Sequence, residues 1–321
     1  MTRGPFLLRA AVLAAAVAVA AVPLAAAGVP AASPAAVPVS ARYAEPGPWQ
    51  VAAAAAPGAA PGCRDIWPSG DDPAPSDGPP PGTRYEVFHP VRDNDGDSDS
   101  DGDGDGVRHP VVTFGNGSHA TSRQYETLLR HLASWGFVVV VANSCDTGDG
   151  AEMLDALDEV LALDTDPDSA LHDRLDVTRI AALGHSQGAG GAVNATTRSN
   201  GRITATALLN LPDPMWVTEP TDAIDTAALT GPVLLLTGAA DPVSTAAAQQ
   251  GYFDAVPGPA TRGRLLGTAH TWPRDGGGFR GYLTAWLDHT LRGDDEAARA
   301  FTGPAPQFLA DPAWDHREIK N

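Results

Sequence analysis

Cysteine is scarce in this chain, basic residues are outnumbered, and membrane-length apolar runs and internal repeats are missing from its main body. Its 321 residues hold two cysteines, Cys63 and Cys145. So few thiols leave room for one disulfide, expected here because an even count in an exported chain favours pairing. Two unpaired thiols are the alternative. Against 39 acidic residues stand 21 basic ones, a formal charge of −18. That balance argues against nucleic acid or an anionic membrane as partner and favours solubility. The excess is partly local: seven aspartates (Asp93, Asp95, Asp97, Asp99, Asp101, Asp103, Asp105) fall in one Asp/Gly/Ser stretch, and the rest of the chain carries −11.

What is present divides the chain into three. Residues 1–27 read as a secretory signal: Arg3 and Arg9 give the positive start, 10–22 the apolar stretch, and Ala25-Ala26-Ala27 a small-residue cleavage site. As a membrane anchor the run is too short and too rich in alanine. The mature protein is therefore expected outside the cell with no integral membrane span. Residues 28–62 are Ala, Pro and Gly with few large side chains, which cannot bury enough apolar surface to offset ordering entropy, so a disordered linker is expected. Residues 63–321, about 260 in number, suffice for one large α/β domain, expected to be a monomer.

Along that domain, 85–91 and 109–114 read as strands. The acidic insertion 93–106 between them reads as the tip of a long hairpin. Windows starting at Asp97 and Asp101 open like a calcium loop, but position twelve is Arg108 or Val112 instead of Glu, so a solvated low-complexity loop is expected. Helix and strand then alternate. Helices are expected at 124–134, 151–163, 187–197, 245–255 and 279–291, and strands at 137–142, 180–183, 203–209, 233–237 and 264–267. The uninterrupted apolar run at 137–142 marks a strand buried on both faces. This alternation predicts a mostly parallel central sheet with helices on both faces and one antiparallel edge.

Chemistry concentrates at Gly184-His185-Ser186-Gln187-Gly188, a G-x-S-x-G sequence between the apolar strand 180–183 and a helix rich in small residues. A tight strand-to-helix turn there holds the serine in a strained conformation and requires glycine on both flanks. A serine hydroxyl needs a base, and the base an orienting carboxylate. Asp241, after the strand 233–237, and His270, after 264–267, supply them in the order Ser, Asp, His. His289 lies inside a helix, Asp213 and Asp225 do not directly follow a strand, and Asp254 ends a helix, so all are weaker choices. His185 is expected to line the pocket or support the nucleophile from behind. An oxyanion needs two N–H donors. The backbone of Gln187 is one candidate, and the loop Gly115-Asn116-Gly117-Ser118 offers the other, at Ser118 with Asn116 as fallback. No metal or organic cofactor is required.

The stretch Asn116-Gly117-Ser118-His119 through Gln124-Tyr125, continuing to Leu132-Ala133-Ser134-Trp135-Gly136-Phe137-Val138-Val139, resembles the bacterial cutinases and poly(ethylene terephthalate) hydrolases. It is equally similar to the chlorophyllase group and the dienelactone-hydrolase-related esterases. The likeness extends through 184–188, Ala240-Asp241-Pro242 and Thr268-Ala269-His270. It implies an α/β-hydrolase fold, Ser186 as nucleophile, Asp241 as acid, His270 as base, and a gap-free match of Ser118 to the oxyanion loop. Asn116, His119 and His185 are expected near substrate from their places beside the nucleophile and its loop, and the resemblance adds Trp216 as the available aromatic on the loop 210–218. The cutinases usually carry an aromatic at the position of Ser118 and Met at that of Gln187, and their common C-terminal disulfide is missing. Trp216 is not at the offset of the tryptophan that polyester hydrolases place on the corresponding loop. Dienelactone hydrolases proper use a cysteine nucleophile, so the serine argues against that chemistry.

The expectation is a secreted serine hydrolase cleaving a small-molecule or polymeric carboxylic ester through an acyl-enzyme. A secreted acyltransferase, or a lipase or peptidase, would use the same three residues. A catalytically inactive cell-surface binding protein is the alternative from another class.

Overall fold

Four consecutive valines, Val138 to Val141, with Ala142 have no polar face to offer solvent, so they form strand β4 (Val138–Ala142), buried along its whole length. The same holds for β3 (His109–Gly115), β6 (Ala205–Leu209) and β7 (Val233–Gly238). With β5 (Leu175–His185) and β8 (Ala260–Leu265) these strands run parallel. In this computed structural model, which describes residues 1, 37–57, 83–91, 106–144 and 146–321, they are the centre of a nine-stranded sheet. Its order is β1-β2-β4-β3-β5-β6-β7-β8-β9, where β1 is Gln50–Pro57, β2 Thr83–Val91 and β9 Trp314–Lys320. The expected leader beyond Met1, residues 28–36 and 58–62 of the linker, Cys63, Cys145 and the Asp/Gly stretch up to Asp105 lie outside the described residues. Among the described residues no helix is long and apolar enough to cross a membrane.

Helices cover both faces. One core gathers Leu128, Leu129 and Leu132 of α2 (Glu126–Ser134) with Leu283 and Trp286 of α6 (Arg280–Arg292). The other gathers Met153, Leu157 and Val160 of α3 (Ala151–Leu163), Val193 of α4 (Gln187–Arg198) and Phe253 of α5 (Ala246–Ala255). The α/β pattern read from the sequence is the observed one.

Three expectations are corrected. Strands β2 and β3 do not form a hairpin: β2 pairs antiparallel with β1 and β4, and β3 lies between β4 and β5. The fully buried β3 suits the covered middle of the sheet, whereas β2, exposed at Arg84, lies one step from the edge. The linker is ordered over 37–57. Helix α1 (Val39–Ala44) buries Val39 and Tyr43. Tyr43 stacks on Trp135 at 4.4 Å and donates to Asp294 at 2.7 Å. Strand β1 is anchored by its backbone ladder to β2, which alanine side chains neither help nor hinder. Finally, both edges are antiparallel, because two short helices, α7 (Asp295–Ala298) and α8 (Gln307–Ala310), lead to β9 on β8. The strand expected at 264–267 is β8, ending at Leu265.

Candidate active site

Every candidate catalytic group leaves the sheet at the carboxyl end of a parallel strand. Strand β5 ends at His185 and α4 starts at Gln187, so Ser186 alone makes the turn, at φ 56°, ψ −126°. The turn is possible because its flanks are bare. A Cβ on Gly184 would sit 1.9 Å from the Gly188 carbonyl oxygen, and one on Gly188 would sit 2.2 Å from the Gly115 carbonyl. The Ser186 N–H donates to the Leu209 carbonyl at 3.0 Å, pinning the turn to the end of β6.

The Ser186 hydroxyl meets His270 Nε2 at 2.8 Å, and His270 Nδ1 donates to Asp241 Oδ2 at 2.7 Å. Asp241 follows β7, and its second oxygen accepts the N–H groups of Val243 (2.7 Å) and Ser244 (3.2 Å), which lock the carboxylate in a local turn. Its side chain is wholly buried. The competing acids are engaged elsewhere. Asp213 accepts from Thr245, Asp225 from Ala227 and Asp254 from Gln250. The Ser–His–Asp array is thus continuous and aligned for proton transfer from hydroxyl to imidazole.

The loop after β3 lies against this array. A Cβ placed on Gly117 would be 3.4 Å from Ser186 Cβ, so the backbone passes directly beside Ser186. Neither the Ser118 nor the Gln187 backbone N–H donates to a protein acceptor among the described residues. The Gln187 amide also begins α4, where the helix dipole favours negative charge.

The remaining expected site residues divide. Asn116 is fully buried, its Nδ2 donating to the Ala142 carbonyl at 2.5 Å and its carbonyl accepting from Thr147 Oγ1 at 2.8 Å. It staples loops together through these two contacts. His185 is likewise buried: Nδ1 meets the Tyr125 hydroxyl at 2.9 Å and Nε2 donates to the His270 carbonyl at 2.7 Å. Burial, with His270 nearby, holds its imidazole well below the usual histidine range, so it is neutral. His119 is exposed at φ 58°, and Trp216 is half-exposed on the loop after β6, next to exposed Met215. The Gln187 side-chain Nε2 donates to Asp146 Oδ1 at 2.9 Å, giving the site a polar, acidic shoulder.

Two residues escaped the sequence reading. Asn210 Nδ2 donates to the His270 carbonyl at 2.8 Å while its Oδ1 accepts from Gly238 N–H at 3.1 Å. Its place just past a parallel strand was the available signal. Tyr125, legible only as an apolar helix position, puts its hydroxyl between the Gly117 N–H (2.9 Å) and His185.

Sheet order, helices on both faces and the turn at Ser186 together define an α/β-hydrolase. Residues 105–311 match the family described as PET hydrolase-like, and the chain belongs to that family. No curated protein matches it. Membership makes the protein a hydrolase of the ester-cleaving class.

Proposed function

We propose that the protein is an exported serine esterase in which Ser186 is the nucleophile, His270 the general base and Asp241 the orienting acid. The reading rests above all on the unbroken 2.8 Å and 2.7 Å contacts from Ser186 through His270 to Asp241. As Oγ bonds to the ester carbonyl carbon, its proton passes to His270 Nε2 and the carbonyl electron pair moves onto oxygen. The Ser118 and Gln187 N–H groups receive that oxyanion; losing one such donor typically costs 10²–10³-fold in kcat. Collapse expels the alcohol, which takes the proton from His270, and leaves an acyl-serine. Water, deprotonated by His270, then releases the acid and restores the hydroxyl.

Export is part of the same proposal and is supported by the charge, apolar and small-residue pattern of 1–27. The substrates proposed are neutral carboxylic esters, from short acyl esters to polyesters. Cleavage of p-nitrophenyl esters from acetyl to palmitoyl, and of a polyester film, measures where activity peaks. Ser186→Ala should lose more than ~10³-fold in kcat. Turnover undiminished in that variant would end the proposal. Transfer of the acyl group to an added alcohol in place of water would reassign it to acyltransferases.

A further inference from the structure

His270 lies on a loop beyond the last hydrogen-bonded residue of β8, Leu265, so the sheet ladder itself does not fix its backbone. Two buried donors grip its carbonyl instead, Asn210 Nδ2 at 2.8 Å and His185 Nε2 at 2.7 Å. An asparagine amide always has a hydrogen to give. A neutral imidazole has one only on the nitrogen its tautomer selects. In the tautomer protonated on Nδ1, Nε2 would turn a lone pair toward the His270 carbonyl oxygen and repel it. The tautomer of His185 therefore decides whether this contact holds the base or pushes it away.

The groups around His185 make that choice. Its Nδ1 faces the Tyr125 hydroxyl at 2.9 Å, and the Tyr125 oxygen accepts the Gly117 N–H at 2.9 Å. The His270 carbonyl can only accept, so the single imidazole hydrogen sits on Nε2; Nδ1 then presents its lone pair, and the Tyr125 hydroxyl donates to it. Tyr125 is itself held firmly. It closes a 3-10 turn, Ser122–Tyr125, capped reciprocally by Thr121 and Gln124, and its ring packs on Phe114 at 4.8 Å. Gly117 immediately precedes Ser118, so one hydroxyl touches both the oxyanion loop and the tether of the base.

We infer that Tyr125 and His185 are positioning residues: the Tyr125 hydroxyl locks His185 in the tautomer protonated on Nε2, and that nitrogen anchors the backbone of His270. The inference rests on the esterase reading for its kinetic consequence only. A plain core role, in which buried polar groups are merely satisfied, would cost stability without touching turnover.

The experiment compares Tyr125→Phe, His185→Gln, His185→Leu and the double variant Tyr125→Phe/His185→Gln in the full chain. Glutamine offers an N–H and a carbonyl in one side chain and has no tautomer to choose. Tyr125→Phe should lower kcat about tenfold with KM within about twofold, and His185→Leu should lower it at least as much. His185→Gln should recover kcat to within about threefold of wild type. In that background Tyr125→Phe should cost less than about threefold, because the tautomer no longer matters. The resting protein gives a second readout: the far-downfield proton resonance of His270 Nδ1–H, bonded to Asp241, should be sharp in wild type and His185→Gln and shifted or broadened in Tyr125→Phe. If Tyr125→Phe lowers the unfolding temperature but leaves kcat and that resonance as in wild type, the inference is wrong. Equal losses from Tyr125→Phe in both backgrounds would also overturn it. A protein without ester hydrolysis would instead sink the esterase reading, while the resonance would still decide the positioning role. If His185→Leu does not fold, the contrast between Tyr125→Phe and His185→Gln carries the test.

Discussion

Ser186 occupies a backbone conformation that costs of order 1–3 kcal/mol and is kept only because its surroundings over-determine it. The N–H bond to Leu209 and the close passage of Gly184, Gly188 and Gly115 supply that constraint. Adding one methyl group at Gly188 drives an atom to 2.2 Å from backbone that cannot swing away. Gly188→Ala should therefore destabilise the fold by more than about 2 kcal/mol and lower kcat more than about tenfold in whatever protein remains folded. Denaturant titration and single-point kinetics check both, and a variant of wild-type stability would contradict the packing described at the turn. Asp241 shows a different economy. Two backbone N–H groups and one imidazole share its two oxygens, so three donors fix the carboxylate's orientation.

At the scale of elements, the unexpected contribution comes from α1. Six residues in an Ala/Pro-rich region bury Val39 and Tyr43 almost completely, and the Tyr43 ring lies on Trp135 while its hydroxyl reaches Asp294. Tyr43→Ala should cost about 3–5 kcal/mol, the range for an aromatic removed from a core, with KM unchanged because no active-site group touches it. Urea unfolding measures the loss, and a cost under about 1 kcal/mol would mean that α1 is not part of the cooperative core. This helix was hidden because composition averages over a window, and two large side chains among alanines and prolines do not raise that average. Strand β1 was hidden because its ladder lies in the backbone, where alanine says nothing. The parallel strands were legible because continuous runs such as 138–141 have one physical solution. Ser186 and Asp241 were legible for a related reason: each is a reactive residue type just past such a run, and His270 followed as the histidine on the next loop that completes the order Ser, Asp, His. Tyr125 and Asn210 were not, since their roles depend on side-chain direction toward residues 60 positions away for each (Tyr125 to His185, Asn210 to His270). The β2–β3 hairpin was misjudged because adjacency in sequence was taken for adjacency in the sheet.

Across the whole molecule, buried neutral histidines set an acid limit on stability. Burial is the main cause that pushes His109 and His131 down to about 4, reinforced by nearby arginines. In the unfolded chain the same imidazoles take up protons near 6.5. Between those values the unfolded state binds the extra protons, so stability is full above about 6.5 and drains away as the pH falls toward 4, by roughly 1 kcal/mol per residue per pH unit. Unfolding free energies measured from about pH 7 to about pH 5 should fall accordingly, and His131→Gln should flatten the slope even if it lowers the plateau. Parallel profiles for the two proteins would exclude His131 as a source.

The two antiparallel edges also determine what the molecule will tolerate mechanically. Strand β1 and strand β9 lie at opposite ends of the nine-strand order, eight inter-strand steps apart, on the order of 38 Å at ~4.8 Å per step. Load applied through the two edges is unequal in its effect. Pulling on β1 strains β2 and then β4, none of which delivers a residue of the array. Pulling on β9 strains β8, whose exit loop carries His270. Immobilised on a solid support, the protein should keep His270 in register with Ser186 when tethered from the β1 side and lose that register first when tethered through β9.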